Sequence, residues 1–112
     1  MLSPTKTVQH ADGDVFTAIA HPVRRQLLDM LAKGDQSVNE LASPFEMSRP
    51  AISQHLRILL DVGLVSEQRA GRERRYQLHS EGLQEVQRWL QTYQRFWNDR
   101  LTALGNFLEE HE

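Results

Sequence analysis

The segment from residue 48 to residue 76, SRPAISQHLRILLDVGLVSEQRAGRERRY, constrains this chain most, because it joins a helix with one wet face to a short hairpin loaded with arginine. Ser48 stands where it can cap the helix, Pro50 falls in the first turn, where a missing N–H does no harm, and Gly63 closes the segment. At about 100° per residue, Ile52, Leu56 and Leu59 share one face, while Pro50, Ser53, Gln54, Arg57 and Asp61 lie on or near the opposite one. The first face asks for burial. The second is left for water or for a partner.

Beyond Gly63, residues Leu64 to Arg69 and Arg72 to Leu78 read as two strands around Ala70-Gly71, a turn whose glycine can take positive φ. Arg69, Arg72, Arg74 and Arg75 then sit on the hairpin and its tip. Tyr76 and Leu78 alternate with Arg75 and Gln77, so one face of the second strand is expected to pack while the other stays wet.

Upstream, Ser37-Val38-Asn39-Glu40 has the form of a capping box, which predicts a short helix through Leu41 and Ala42, ended by Pro44. The turn from Ser43 to Met47 offers Phe45 and Met47 for burial, and the next helix follows at Ser48. Helix, short turn, helix and hairpin in this order predict a winged helix-turn-helix: a mainly α fold with a two-stranded β-wing and a long C-terminal helix. Ser, Gln and Arg side chains reach phosphates or base edges from a helix lying in a DNA major groove, which is about 12 Å wide and admits one helix. The residues expected to touch DNA are therefore Ser48, Arg49, Pro50, Ser53 and Gln54 in the groove, Arg57 on phosphate, and Arg72 and Arg74 anchoring the wing, where a minor groove favours arginine. Taken alone, the helix reads equally as a solvated amphipathic helix, and a solubilising hairpin is the lesser alternative for the wing once the preceding helices are considered; their order favours DNA.

The scaffold is legible as well. Residues 1–11 show little periodicity and read as a flexible segment or an arm, with no function assigned; residues 12–79 form the winged core, and residues 80–112 the terminal helix of the same domain. Val15, Phe16, Ile19 and Ala20 make a short apolar stripe, after which His21-Pro22 starts a helix with Val23, Leu27, Leu28 and Leu31 facing in, closed by Gly34. Arg24 and Arg25 at its head read as solvated surface arginines rather than phosphate contacts.

From Ser80 to about Glu110 the chain reads as one long helix or two shorter ones, with Leu83, Val86, Leu90, Tyr93, Trp97, Leu101, Leu104 and Leu108 spaced by threes and fours. Thirty helical residues span roughly 45 Å, longer than so small a body can cover, so part of the stripe is expected to meet a second copy of the chain. The expected dimer interface comprises Val15, Phe16, Ile19, Leu90, Tyr93, Trp97, Leu101, Leu104 and Leu108. Trp89, Tyr93 and Phe96 widen the apolar surface beyond a narrow seam; lining a ligand cavity is their alternative use.

The net charge of −2 over 112 residues argues against DNA binding until its distribution is considered. Residues 1–47 carry −2, residues 48–76 carry +3 and residues 77–112 carry −3, so the positive part is the expected reading head. Acidic remainders weaken indiscriminate adhesion to nucleic acid. The length fits one domain. With no cysteine there is no disulfide, thiolate metal site or thiol switch, and neither a signal-peptide pattern nor a membrane-length apolar run is present, so a cytoplasmic location is expected. An enzyme is excluded for want of a nucleophile paired with a base, a phosphate-binding glycine loop or a carboxylate pair in an evident cleft. The histidines, at 10, 21, 55, 79 and 111, include no two at i, i+3 or i+4 spacing on one helix, so no metal site and no cofactor are expected.

The ordered set of Ala20-His21-Pro22 with Arg24-Arg25, Ser53-Gln54-His55-Leu56 followed by Leu59 and Gly63-Leu64-Val65, and the Gly71-Arg72 wing ending in Tyr76-Gln77-Leu78 resembles the ArsR-type bacterial transcriptional repressors across nearly all of residues 12–110. The resemblance implies a homodimer binding an imperfect palindromic operator in double-stranded DNA, with recognition helices in successive major grooves and wings at the flanks. Metal-sensing members carry a cysteine pair on the helix before the recognition helix, where this chain has Glu40-Leu41-Ala42-Ser43-Pro44, or His and carboxylate ligands on the terminal helix. Neither set is visible, and the chain looks more like the metal-independent members, whose effector is a small molecule, a protein or none. A protein-docking module on the same fold, or a sensor with a cross-subunit metal site, is the alternative.

Overall fold

The computed structural model describes residues 14–111, and the expected N-terminal segment, residues 1–11, lies outside them. In chain order the elements are α1 (Val15–Ile19), α2 (Pro22–Leu31), β1 (Gln36–Ser37), α3 (Val38–Ala42), α4 (Arg49–Asp61), β2 (Val65–Ala70), β3 (Glu73–Leu78), a 3₁₀ turn (Ser80–Leu83) and α5 (Gln84–Glu110).

Each helix of the body starts on a side-chain cap. The Asp14 carboxylate accepts from Thr17 N at 2.7 Å, His21 Nδ1 accepts from Val23 N at 3.1 Å, and Ser48 Oγ accepts from Ala51 N at 3.2 Å. At α3 the capping box is complete, with Glu40 N donating to Ser37 Oγ and Ser37 N donating to Glu40 Oε1. Helix α4 ends in a Schellman motif: Gly63 N donates to Leu60 O, Leu64 N donates to Leu59 O, and Gly63 takes a φ of 81° that an L side chain resists. That turn throws the chain directly into β2.

The core forms where the apolar stripes converge. Leu27 of α2, Leu41 of α3, Ile52, Leu56 and Leu59 of α4 and Leu64 are fully buried, joined by Val15, Ala18, Leu31, Val65 and Tyr76. Because one face of α4 is held by α2, α3 and β2, its other face is turned outward at a fixed attitude. Phe45 and Met47, from the turn between α3 and α4, pack against this core as their apolar character predicts.

The wing differs from the expected two-stranded hairpin. The sheet has three antiparallel strands in the order β1-β3-β2, with Gln36 opposite Tyr76 and Ser37 opposite Arg75. Two residues are too few for periodicity to reveal a strand, and Ser37 also caps α3, so its sequence signal is that of a helix start. The hairpin boundaries shift by one residue too: Ala70 pairs with Glu73, which leaves Gly71 and Arg72 as the turn. Gly71 has a φ of 66° and no non-glycine residue has positive φ among the described residues, the pattern of a type II′ turn. Arg72 is thereby carried to the apex. The far face of β3 is also less wet than alternation alone implies, since Arg75 donates to Asp35 O at 3.0 Å and Gln77 Nε2 donates to Asp35 Oδ2 at 3.0 Å.

Arg24 corrects a second expectation. It is not a solvated surface arginine but is 9% exposed, with Nε donating to Ala18 O at 2.7 Å. Arg25 remains exposed and donates to Ile19 O. The terminal stripe forms one continuous helix of 27 residues, about 40 Å long at 1.5 Å per residue, and its start meets the body through Val86, half-buried against the core, and Trp89, edge-on to Phe16.

Candidate nucleic-acid interface

Between the outward face of α4, the start of α3 and the inner side of the wing lies an open concavity of about 640 Å³. Helix α4 contributes Arg49, Pro50, Ser53, Gln54, Arg57 and Leu60; α3 and its cap contribute Ser37, Val38 and Asn39; the wing contributes Glu67, Arg72, Glu73, Arg74 and Tyr76. Helical periodicity explains the α4 set: with Ile52, Leu56 and Leu59 turned into the core, the residues beside them in sequence must turn out. Pro50 in the first turn and the Ser48 cap begin the helix at the mouth of the concavity.

Of the eight residues expected at DNA, the concavity gathers seven. Ser48 is outside its lining; its Oγ accepts from Ala51 N and caps the helix. Asn39 was not among the expected residues. It lines the wall through its place in the capping box of α3, a position that the sequence marked as structural. Arg75 was counted with the wing arginines, yet it turns toward the body and meets Asp35 O, Glu40 at 3.6 Å and Glu73 at 3.3 Å. Strand alternation separates Arg75 from Arg74 and leaves Arg74 on the concave side.

The charges in the concavity differ in readiness. Arg49 and Arg72 make no ion pair with any described residue and are exposed. Arg57 is held only by Asp61, one helical turn on at 3.2 Å, with both side chains mostly in solvent. Such exposed pairs contribute about 0.3–0.5 kcal/mol, so a phosphate displaces the carboxylate readily. Arg74 sits 3.9 Å from Glu67. Burial, and after it a hydrogen bond to Glu67, push the Tyr76 hydroxyl above its ordinary pKa and keep it neutral on the sheet floor. The concavity thus has an arginine-bearing rim, polar Ser53 and Gln54 on one wall, and no group of three or more metal-ligating side chains among the described residues.

Away from the concavity, α5 presents Leu90, Tyr93, Phe96, Trp97, Leu101, Leu104, Phe107 and Leu108 to solvent. At about 100° per residue these positions cover an arc of about 140°, wider than a coiled-coil seam. Phe107 joins this arc at helical spacing from Leu104 and Leu108, beyond the stripe expected from the sequence. Of the body residues expected at an interface between copies, Phe16 and Ile19 are half-buried; Val15, however, is 4% exposed in its own core and has almost no surface to offer.

A helix whose outer face shares a concavity with a basic hairpin defines a winged helix-turn-helix, the fold of a class of DNA-binding transcriptional regulators. Comparison with known proteins agrees. The model of the family described as "Bacterial regulatory protein, arsR family" matches residues 21–67. The chain is 38% identical over 78 residues to the transcriptional repressor SdpR of Bacillus subtilis (strain 168), covering 70% of this chain and 87% of that one. It is 39% identical over 94 residues to the HTH-type transcriptional regulator Rv2034 of Mycobacterium tuberculosis, covering 84% and 85%. Among solved structures, an ArsR-like transcriptional regulator from Rhodococcus sp. RHA1 superposes with a TM-score of 0.69 at 33% identity, over 96% of this chain and 98% of that one. The chain belongs to the arsR family of bacterial regulatory proteins; it is a DNA-binding transcriptional regulator and not an enzyme.

Proposed function

We propose that the protein is a homodimeric repressor that binds a palindromic operator, reading each half-site with α4 and clasping the flank with the wing. The observation that carries this reading is the pairing of two surfaces on one chain: a concavity lined by four arginines, of which Arg49 and Arg72 make no ion pair with any described residue, and a 27-residue helix whose apolar arc is left exposed. An arc that wide on a soluble helix calls for cover, and a second copy supplies the same arc in two-fold symmetry. Two-fold symmetry in turn spaces the two α4 helices for half-sites about one helical turn, roughly 34 Å, apart.

Within each half-site, Ser53 and Gln54 face base edges, Arg49 and Arg57 take phosphates, and Arg72 at the wing apex enters the flanking minor groove with Arg74 behind it. Asn39, at the start of α3, joins the phosphate contacts. Occupancy of a promoter suffices for repression.

Selection of genomic fragments on the purified protein tests the reading. The expected result is an enriched palindrome with half-sites one turn apart, bound by a dimer in sedimentation; a monomer on the motif, or no motif, overturns it. Gln54→Ala then discriminates readout from positioning: it should weaken binding to the selected site more than to a mismatched one.

A further inference from the structure

Among the described residues Arg24 is the one charged side chain in the buried interior. A guanidinium is tolerated there only when its N–H groups find acceptors. Nε donates to Ala18 O at 2.7 Å, one terminal nitrogen donates to Thr17 O at 3.3 Å, and the other meets His55 Nδ1 at 3.1 Å. The two carbonyls belong to the last turn of α1, and Thr17 O also accepts from Ala20 N at 3.2 Å. His55 is on α4, next to Gln54. One buried side chain on α2 therefore ties the end of α1 to the helix that faces DNA.

The chemistry of the link fixes a protonation state. Arginine can only donate, so His55 Nδ1 must hold its lone pair, and the ring is neutral with its proton on Nε2. His21 stands beside it with ring centroids 4.5 Å apart, its own Nδ1 accepting from Val23 N. A proton on His55 Nδ1 would set donor against donor and charge against charge.

We propose that Arg24 is a positioning residue for DNA recognition, which locks α4 to the end of α1 through the neutral His55 imidazole, and that protonation of this ring releases the helix. The inference rests on the DNA-binding reading above. The charged and titratable groups acting on His55 are His21, at the cap of α2, and Arg24; burial first, then these two, hold the His55 pKa below its ordinary value. Because the folded state disfavours the proton, the lock is intact above the unfolded-state value of 6.5 and is lost as pH falls below it through the depressed folded-state value.

The test is duplex affinity between about pH 8 and about pH 5 at fixed salt, for the wild type, His55→Asn and Arg24→Met, together with salt slopes and imidazole NMR titration without DNA. Asparagine keeps an acceptor near the Nδ1 position but does not titrate. The wild type is expected to lose about tenfold in acid and Arg24→Met about tenfold at pH 8, the worth of the one hydrogen bond that joins the guanidinium to α4. His55→Asn should bind like the wild type at pH 8 and keep its affinity in acid. Arg24→Met should leave the salt slope unchanged, since a buried guanidinium releases no counterion, and should raise the His55 pKa toward its ordinary value. Acid loss in His55→Asn equal to the wild type's, a salt slope lowered by about one in Arg24→Met, or an unmoved imidazole titration would each overturn the proposal. Binding that is independent of pH removes this inference alone; a wild type that binds no duplex removes the DNA reading and the inference together.

Discussion

Helices α4 and α5 carry the same kind of pattern, an apolar stripe at spacings of three and four, and the molecule treats them oppositely. The α4 stripe of Ile52, Leu56 and Leu59 is 0% exposed, whereas Phe96 and Leu101 on α5 are 62% and 66% exposed. Amphipathicity says that a helix has a face to bury; it does not say in what. Helix α4 is 13 residues long, with α2, α3 and β2 close around it, so its free face is the polar one. Helix α5 leaves the body after Val86 and Trp89, so its free face is the apolar one. On the proposed reading the contrast gives the two helices different work: one presents chemistry to DNA, the other presents hydrophobic area to a second chain.

Substitutions can break that contrast. The largest effect is expected on the α4 side, where Leu56→Ala opens a cavity in a fully packed core and should cost about 2–5 kcal/mol in denaturant unfolding. Leu101→Glu, by contrast, should change the stability of the folded monomer by less than about 0.5 kcal/mol while separating the copies in sedimentation. A Leu101→Glu protein that still sediments as a dimer would move the interface away from this part of α5. Next comes the cap that positions α3 beneath α4: Ser37→Ala should cost about 1 kcal/mol in the same unfolding assay, by leaving Glu40 N unsatisfied.

The same capping box confers an acid sensitivity. The Ser37 N–H that donates to Glu40 is the chief reason its carboxyl titrates below the ordinary value of 4.5. Since the folded pKa is depressed, this contribution is present above the ordinary value and is lost as pH falls through the depressed one. Glu40→Gln keeps an acceptor for Ser37 N and should flatten that part of the acid unfolding curve. The smallest stability effect is expected at the wing. Arg72→Ala should leave unfolding within about 0.5 kcal/mol of the wild type, yet weaken all duplexes and lower the salt slope by about one. An unchanged slope would take the wing apex off the phosphates.

Much of this was readable in advance where the signal was local. Caps at Ser37 and Ser48, the stop at Gly63, the inward stripes of α2 and α4 and the hairpin after Leu64 all follow from residues within a few positions of one another. What resisted reading depended on distant partners. Arg75 looked like another wing arginine until Asp35, forty residues away, claimed it, and Asn39 looked structural until the fold set it in one concavity with Arg49 and Arg74. Val15 shared a stripe with Phe16 and Ile19, but only the packing of α1 decided which of them went inside.

The sequence by itself determined the order of helices, the turns between them and the polarity of each face, because capping, positive φ and periodicity act over one or two turns of chain. Only the tertiary structure decided that Arg24 is buried, that a two-residue strand joins the wing, and that the stripe of α5 stays bare. Burial is a property of what lies across from a residue, and the partners of Arg24 and Arg75 come from parts of the chain that no local pattern connects to them.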